Sequence, residues 1–280
     1  MRDIAAEAIT QEVKRMCIES CYHLGADVIQ ALKEARDTEP SPIGKSILDQ
    51  LVENAEIADQ GKYPLCQDTG FTVIMVELGQ DARIVGADLN EAINQGVRQG
   101  YAEGYLRKSI VRDPLRRVNT GDNTPAVIWL EMVAGDKVKI QLAPKGGGCE
   151  NMSASRILKP SQGVEGVKDF VISTVSEGGG KPCPPIIVGV GIGGTFEKCA
   201  FLAKKAALRD VGDRNPDKFY ADMEDELLDR VNRLGIGPLG LGGRTTALDV
   251  HVEVFPCHIA SLPVAVNIQC HSARHKETVI

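Results

Sequence analysis

Three loop-like stretches of the chain each combine a cysteine with other side chains that can bind metals or carboxylates. The first, residues 62–70, displays a thiol, an amide and a carboxylate at Cys66, Gln67 and Asp68. A proline restricts one backbone dihedral of this stretch and a final glycine frees another, which is typical of a rigid loop. The other two stretches are residues 181–185, around Cys183, and residues 267–274, around Cys270. Such loops suit the ligands of a metal ion or of an iron–sulfur cluster.

The chain contains eight cysteines, and their positions separate them into two groups. Cys17, Cys21 and Cys199 fall on predicted helices, and the pair four residues apart is better explained as small buried hydrophobes than as a metal site. Five cysteines fall in predicted turns or at strand ends: Cys66, Cys149, Cys183, Cys257 and Cys270. The absence of any Cys-x-x-Cys pair argues against zinc-ribbon and thioredoxin-like sites. Spacing alone does not choose the ligands among the five.

Composition indicates an ordinary globular enzyme. Of the 280 residues, 43% are hydrophobic and 25% are charged, and the net charge is −6 without a block of basic residues. These values argue against a nucleic-acid partner. No apolar run reaches the roughly 18–20 residues needed to span a bilayer, and the N-terminus lacks a signal-peptide core. We therefore expect a cytoplasmic protein that does not bind membranes and whose cysteines are reduced.

The pattern of apolar residues predicts one mixed α/β domain over residues 1–280. N-terminal helices are followed by a mixed sheet with surrounding helices, and Asp27 is expected to cap the second helix. The predicted helices cover residues 4–24, 27–36, 42–59, 88–103, 166–177, 195–209 and 217–234. The predicted strands cover residues 71–78, 126–133, 137–142, 186–190, 246–255 and 263–268, with the second and third forming a hairpin. His251 lies on the polar side of its strand and is expected to be exposed.

Two glycine-rich segments admit alternative interpretations. Residues 189–194 form a literal GxGxxG after a strand and before a helix, which is the context of a dinucleotide fingerprint. The expected ribose-binding acid is missing, because Asp213 lies in a loop, and close helix–strand packing explains these glycines adequately. The second segment, Gly146–Gly148, could form either an anion-binding nest of backbone N–H groups or a flexible turn. The sequence leaves that choice open.

Five ordered motifs together resemble the class I fumarase and tartrate dehydratase family. The motifs are Cys66-Gln67-Asp68-Thr69-Gly70, residues 119–126 (NTGDNTPA), residues 145–148 (KGGG), Cys183-Pro184-Pro185 with residues 193–195 (GGT), and residues 270–274 (CHSAR). They span nearly the whole chain. The resemblance implies a 4Fe–4S cluster held by Cys66, Cys183 and Cys270. One iron would then have no protein ligand and could act as a Lewis acid.

The same resemblance assigns roles to other residues. Asp68 would handle the proton on the substrate hydroxyl, and Gln67 would contact the substrate. His258 matches a family histidine twelve residues before the third cysteine, which hydrogen-bonds a substrate carboxylate. Arg107 falls where the family has an arginine that binds a carboxylate, and Gly148 would offer its backbone N–H. Family members with a serine after the glycine triplet differ from Cys149, which is therefore not counted as a ligand.

The resemblance also implies a partner and a reaction. The chain is similar to the alpha subunit of the two-subunit form, so a separate beta subunit is expected to supply the rest of the active site. The predicted reaction is the reversible hydration of fumarate to L-malate, and L-tartrate dehydration is the close alternative. Two further hypotheses are an NAD-dependent oxidoreductase that uses residues 189–194 and a non-catalytic iron–sulfur scaffold.

Overall fold

The helices begin and end close to the residues that the apolar periodicity and the capping residues predict. In the computed structural model, which describes all 280 residues, they are α1 (Ala6–Tyr22), α2 (Ala26–Thr38), α3 (Pro42–Asp59), α4 (Leu89–Glu103), α5 (Gly147–Glu150), α6 (Gly163–Gly178), α7 (Phe196–Ala206) and α8 (Lys218–Asn232). Asp88 caps α4 by accepting the backbone N–H groups of Asn90 and Glu91. The expected cap of α2 is wrong: Gly25 holds that position, and Asp27 instead accepts the N–H of Val211. None of the helices combines the length and apolar composition needed to cross a bilayer.

The strands form three sheets, and their pairing differs from the predicted hairpin. The strands are β1 (Arg2–Ala5), β2 (Phe71–Gly79), β3 (Ala82–Val85), β4 (Val127–Val133), β5 (Val138–Lys145), β6 (Ala154–Leu158), β7 (Ile186–Gly193), β8 (Ala247–Phe255), β9 (Leu262–Gln269) and β10 (Lys276–Val279). Their order is β1-β3, β10-β5-β2-β4 and β6-β9-β7-β8. The hairpin prediction for β4 and β5 is wrong, because β2 lies between them, parallel to β4 and antiparallel to β5. The mixed α/β class is confirmed.

The chain divides into two compact units, each with its own core. The first unit comprises Met1–Leu24, Ala55–Gly147 and Arg274–Ile280, and the second comprises Gly25–Asn54 and Gly148–Ala273. In the first unit, α1 and α4 pack together over the sheet that contains β2 and β5. In the second unit, α6, α7 and α8 pack on the sheet that contains β7. The single-domain boundary of residues 1–280 stays a prediction.

The register of the second unit's sheet decides which loops lie at the same edge. Ile186, at the start of β7, pairs with Ala247 of the parallel strand β8, and Ile187 pairs with Gln269 near the end of the antiparallel strand β9. The residues before β7 and after β9 therefore meet at one edge of the sheet, where edge means one end of its strands. The loop from β8 to β9 lies at the opposite edge, because Gly193 pairs with Phe255.

The GxGxxG segment serves helix–strand packing. A Cβ atom at Gly189 would lie 2.0 Å from the carbonyl oxygen of Ala203, and one at Gly191 would lie 2.0 Å from that of Cys199. Both contacts are with the backbone of α7, which cannot yield as a side chain does. These two glycines therefore allow α7 to lie directly against β7, as the packing interpretation predicts.

His251 is fully buried, so the prediction that it is exposed is wrong. Helices pack on both sides of β8, and alternation along the strand therefore does not separate a buried from an exposed face. The Nε2 atom of His251 lies 3.1 Å from Oδ2 of Asp249, which is also buried. Asp249 further accepts hydrogen bonds from Arg214 and from the backbone N–H of Gly212. Burial raises the pKa of Asp249, but His251, Gly212 and Arg214 together lower it below its ordinary value of 3.8.

Asp249→Asn is expected to reduce the free energy of unfolding at neutral pH by about 1–3 kcal/mol, because buried donors lose their acceptor. The pKa of Asp249 is lower in the folded state than its ordinary value. Its stabilising contribution is therefore present above about pH 4 and lost as the pH falls through the folded-state pKa. Chemical denaturation at neutral and acidic pH should show the difference between variant and wild type shrinking in acid. Asp225→Asn, which changes the exposed second partner of Arg214, should cost less than about 1 kcal/mol.

Candidate active site

The Cys66 loop of the first unit places a half-buried thiol among polar groups. The backbone N–H of Asp68 points at the Sγ atom of Cys66 over 3.4 Å, and this thiol lies 3.4 Å from Oε1 of Gln67. Cysteine binds iron through its sulfur atom. The Gln67 side chain is exposed, and Asp68 is half-buried. The three residues predicted for this loop therefore lie together, with the amide accessible.

The glycine triplet contacts the carboxylate of Asp68. The N–H of Gly147 donates to Oδ2 of Asp68 over 2.9 Å, and the N–H of Gly70 donates to Oδ1 over 2.9 Å. The triplet leads into α5 and is not a flexible turn. One backbone N–H of the triplet, that of Gly147, binds an anionic group, and that group is the chain's own carboxylate. Each oxygen of Asp68 is thus oriented by one backbone donor.

Arg107 lies beside the same loop. The hydroxyl of Thr69 donates to the backbone carbonyl of Arg107 over 3.1 Å, which fixes the arginine next to the residue that follows Asp68. Arg107 is exposed, so its guanidinium is accessible to a ligand from solution. The first unit therefore brings together Cys66, Gln67, Asp68 and Arg107.

In the second unit, His271 joins the loops that carry Cys183 and Cys270. Its backbone N–H donates to the carbonyl oxygen of Cys183 over 3.3 Å, and its Nδ1 atom lies 3.0 Å from the same oxygen. Since His271 directly follows Cys270, these contacts hold the two predicted ligands at one edge of the sheet. His271 lies within the CHSAR motif, from which no role for it was predicted. Its position directly after a predicted ligand cysteine was the signal available.

The backbone of Cys183 adopts an uncommon conformation. Its φ is +56°, in the left-handed region that residues with a Cβ rarely occupy. A turn bond from its own N–H to Gly180 and a bond from the N–H of Leu239 to the carbonyl of Pro184 hold the loop in place. Such a conformation costs about 1–3 kcal/mol and is found preferentially at functional sites. The Cys183 side chain is exposed.

Gly148 lies close to the Cys183 loop, although the two are distant in sequence. A Cβ atom at Gly148 would lie 3.5 Å from the carbonyl oxygen of Lys181, two residues before Cys183. Gly148 is exposed and lies in the first turn of α5, where backbone N–H groups lack intrahelical acceptors. Cys149 is buried in the second core, with its thiol 3.6 Å from Oε1 of Gln269. Its burial separates it from the accessible thiols.

His258 lies away from the paired cysteines. It occupies the loop between β8 and β9, where its Nδ1 atom accepts the N–H of Ala260. That loop is at the edge opposite to Cys183 and Cys270, and eight strand residues at about 3.3 Å each separate the edges by about 25 Å. An imidazole cannot bridge that distance. The sheet therefore does not bring His258 together with Cys183 and Cys270, and its role in the site stays a prediction.

The cysteines differ in their capacity to bind a cluster. All eight are thiols, and burial raises the pKa values of Cys17, Cys21 and Cys199, which makes these poor ligands. No three His, Cys, Asp or Glu side chains are arranged to hold a single metal ion. A cluster has a different requirement, because each thiolate binds its own iron. The loop thiols Cys66, Cys183 and Cys270, of which Cys183 is exposed and the other two are half-buried, fit that requirement chemically. The last two are held at one edge.

Comparison with known proteins gives a consistent result. A family model described as "Fumarate hydratase (Fumerase)" matches residues 10–279. The "Putative L(+)-tartrate dehydratase subunit alpha" of Methanocaldococcus jannaschii is 44% identical over 272 residues, covering 95% of each chain. The L(+)-tartrate dehydratase subunits alpha of Escherichia coli (strain UTI89) and Shigella boydii are each 35% identical over 274 residues, covering 96% of this chain and 90% of theirs.

Proposed function

The chain belongs to the fumarate hydratase (Fumerase) family of hydro-lyases, and we propose that it is the alpha subunit of an enzyme that reversibly hydrates fumarate to L-malate. The observation that carries the proposal is the pair of contacts from His271 to the carbonyl of Cys183. They join an exposed cysteine, Cys183, to a half-buried one, Cys270, and the family resemblance implies that both are ligands.

The proposed cofactor is a 4Fe–4S cluster held by Cys66, Cys183 and Cys270. When bound, it supplies a Lewis acid through the iron that lacks a protein ligand. The chain's own residues bind and orient the substrate and move the proton. Gln67, Arg107 and the N–H of Gly148 bind the carboxylates, and the planar guanidinium of Arg107 can bind one of them through two hydrogen bonds. Asp68 exchanges the proton of the hydroxyl that is added or lost.

We further propose that a beta subunit completes the site. The relatives are named as alpha subunits, which supports a second chain in the assembly. Dicarboxylate hydration requires both carboxylates of the substrate to be bound, and Arg107 is the single accessible arginine assigned here to that task. The missing cationic groups are expected on the beta subunit.

L(+)-tartrate is the second candidate substrate, because the relatives are named L(+)-tartrate dehydratase subunits at 35–44% identity. The test assays the anaerobically reconstituted chain, with and without its beta subunit, for malate formation from fumarate and for oxaloacetate formation from L(+)-tartrate. The proposal expects activity with the beta subunit, strongest on fumarate, that is lost on iron chelation. Greater activity on tartrate would reassign the substrate. A cluster without activity on either would favour a scaffold, and nicotinamide binding would favour an oxidoreductase.

We propose that His258 serves this site from a second copy of the chain, because its loop lies at the edge of the sheet opposite to Cys183 and Cys270. If two copies complete each other's sites, co-refolding Cys270→Ser chains with His258→Asn chains restores activity from near zero. About one quarter of the wild-type level is expected, because half of the pairs are mixed and each mixed pair has one intact site. Cys270→Ser mixed with Cys183→Ser is the control and should stay inactive. Recovery no greater than in this control would reject a role for His258 across copies.

A further inference from the structure

The backbone of the Asp68 loop is held by three buried side chains with no role assigned so far. We propose that Tyr101, Asn123 and Arg274 are positioning residues that fix Asp68 for proton transfer. The inference rests on the proposed function for the role of Asp68. It concerns only contacts within the first unit.

Three consecutive carbonyl oxygens of the loop each accept a hydrogen bond from a different side chain. Arg274 donates through Nη2 to the carbonyl of Asp68 over 2.5 Å. The Tyr101 hydroxyl donates to the carbonyl of Thr69 over 2.8 Å, and Nδ2 of Asn123 donates to that of Gly70 over 3.3 Å. Tyr101 and Asn123 are fully buried, and Arg274 is 2% exposed. The orientation of the loop's peptide groups is therefore set from inside the protein.

The three donors come from separate parts of the first unit. Tyr101 lies in the last turn of α4, which packs on α1, and Arg274 lies just before β10. Asn123 lies in the loop before β4, where its own Oδ1 accepts the N–H of Ser109 over 2.6 Å. Because each donor is anchored independently of the Asp68 loop, the loop cannot rotate its peptide groups without breaking bonds to several fixed elements.

Fixing the backbone also fixes the carboxylate. The N–H groups of Gly70 and Gly147 each bind one oxygen of Asp68. Gly70 is therefore bound on both sides, through its N–H by Asp68 and through its carbonyl by Asn123. Displacing a reacting group by about 1 Å can cost about a hundredfold in rate. Small shifts of this loop should therefore lower the rate of the reaction.

Stability alone explains Arg274 poorly. A buried guanidinium must lose its hydration, and replacing buried charged groups by apolar side chains of similar size is often neutral or stabilising. A buried charge on the carbonyl of Asp68 is better explained by the geometry that it imposes. Tyr22 offers a comparison for Tyr101, because its hydroxyl donates over 3.1 Å to the carbonyl of Gly104, which is outside the Asp68 loop.

The test compares Tyr101→Phe with Tyr22→Phe in the complete enzyme with its beta subunit. Each variant loses one buried hydroxyl that binds a carbonyl, so their losses of stability should be similar. Tyr101→Phe is expected to lower kcat per cluster about tenfold with little change in KM, while Tyr22→Phe keeps wild-type kcat. Arg274→Met should lower kcat further, and Arg274→Lys should recover part of the loss.

Hydrogen–deuterium exchange supplies a readout that is independent of turnover. Tyr101→Phe should speed exchange of the amides of residues 68–70 and Gly147, and Tyr22→Phe should leave them at the wild-type rate. Unchanged exchange and unchanged kcat per cluster in Tyr101→Phe would overturn the inference, even if Arg274→Met failed to fold. If the wild type were inactive on both substrates, the proposed function would fail, and the exchange rates would still decide whether these side chains fix the loop.

Discussion

Anaerobically prepared protein carrying Cys183→Ser is expected to lose its iron and acid-labile sulfide and to retain less than about one hundredth of the hydro-lyase activity. Changes to groups that merely support a metal ligand cost about 10–100-fold, so loss of a ligand should cost at least as much. The backbone of Cys183 is held at a φ of +56° by its neighbours, and its side chain is exposed. Serine can occupy the same backbone position, which makes the change specific to the sulfur.

Cys257→Ser is the matched control. Cys257 is also an exposed loop cysteine of the second unit, but it lies at the opposite edge of the sheet, where its thiol donates to the carbonyl of Ser261 over 3.3 Å. This variant should keep iron, sulfide and activity at wild-type levels. Iron loss in Cys257→Ser, with retention in Cys183→Ser, would contradict the proposed ligand set and point to a different one.

The features that could be predicted from the sequence depend on short-range interactions. Asp88 caps α4 because an aspartate before a helical pattern accepts the N–H groups of the first turn. Pro42 begins α3 because its missing N–H is not needed there. The loop at Cys66 was also recognisable, since a proline that restricts one dihedral and a glycine that frees another are typical of a rigid loop. These signals lie within a few residues of the structure they determine.

The failures have a common physical cause in long-range pairing. β4 and β5 are separated by a short turn, which is typical of a hairpin, yet β2 inserts between them from more than 40 residues earlier in the chain. The short strands β1, β3, β6 and β10 were missed because their stability comes from partners distant in sequence. His251 was misassigned for the same reason: its polar side packs against other elements.

In the candidate site, some features could be predicted from the sequence and others could not. The proposed ligand cysteines came from the family resemblance, because spacing alone did not distinguish them from Cys257. The position of His258 could have been questioned from the sequence, since the predicted strand between it and Cys270 is extended and must carry the two residues to opposite edges. The hydrogen-bond donors around Asp68 could not have been predicted from the sequence, because Tyr101 and Arg274 are far from this loop along the chain.

Asp68→Asn is expected to lower kcat about a hundredfold to ten-thousandfold, the range that general acid–base groups contribute. The substitution removes the charge that accepts the proton. It also turns an amide NH₂ group toward the N–H of either Gly70 or Gly147, each of which now binds a carboxylate oxygen at 2.9 Å. Steady-state kinetics normalised to iron content should show the loss in kcat while the cluster remains bound.

Asp88→Asn is the control that separates the loss of proton transfer from the loss of a carboxylate that accepts two backbone N–H groups. Asp88 also accepts two backbone N–H groups, those of Asn90 and Glu91, in the same unit and away from the site. Asparagine serves well as a helix cap, so this variant should keep both its stability and its kcat. If Asp68→Asn lost activity only in proportion to a loss of cluster, Asp68 would be a support for the Cys66 loop. A steep fall in kcat with full cluster content, absent from Asp88→Asn, identifies it as the group that moves the proton.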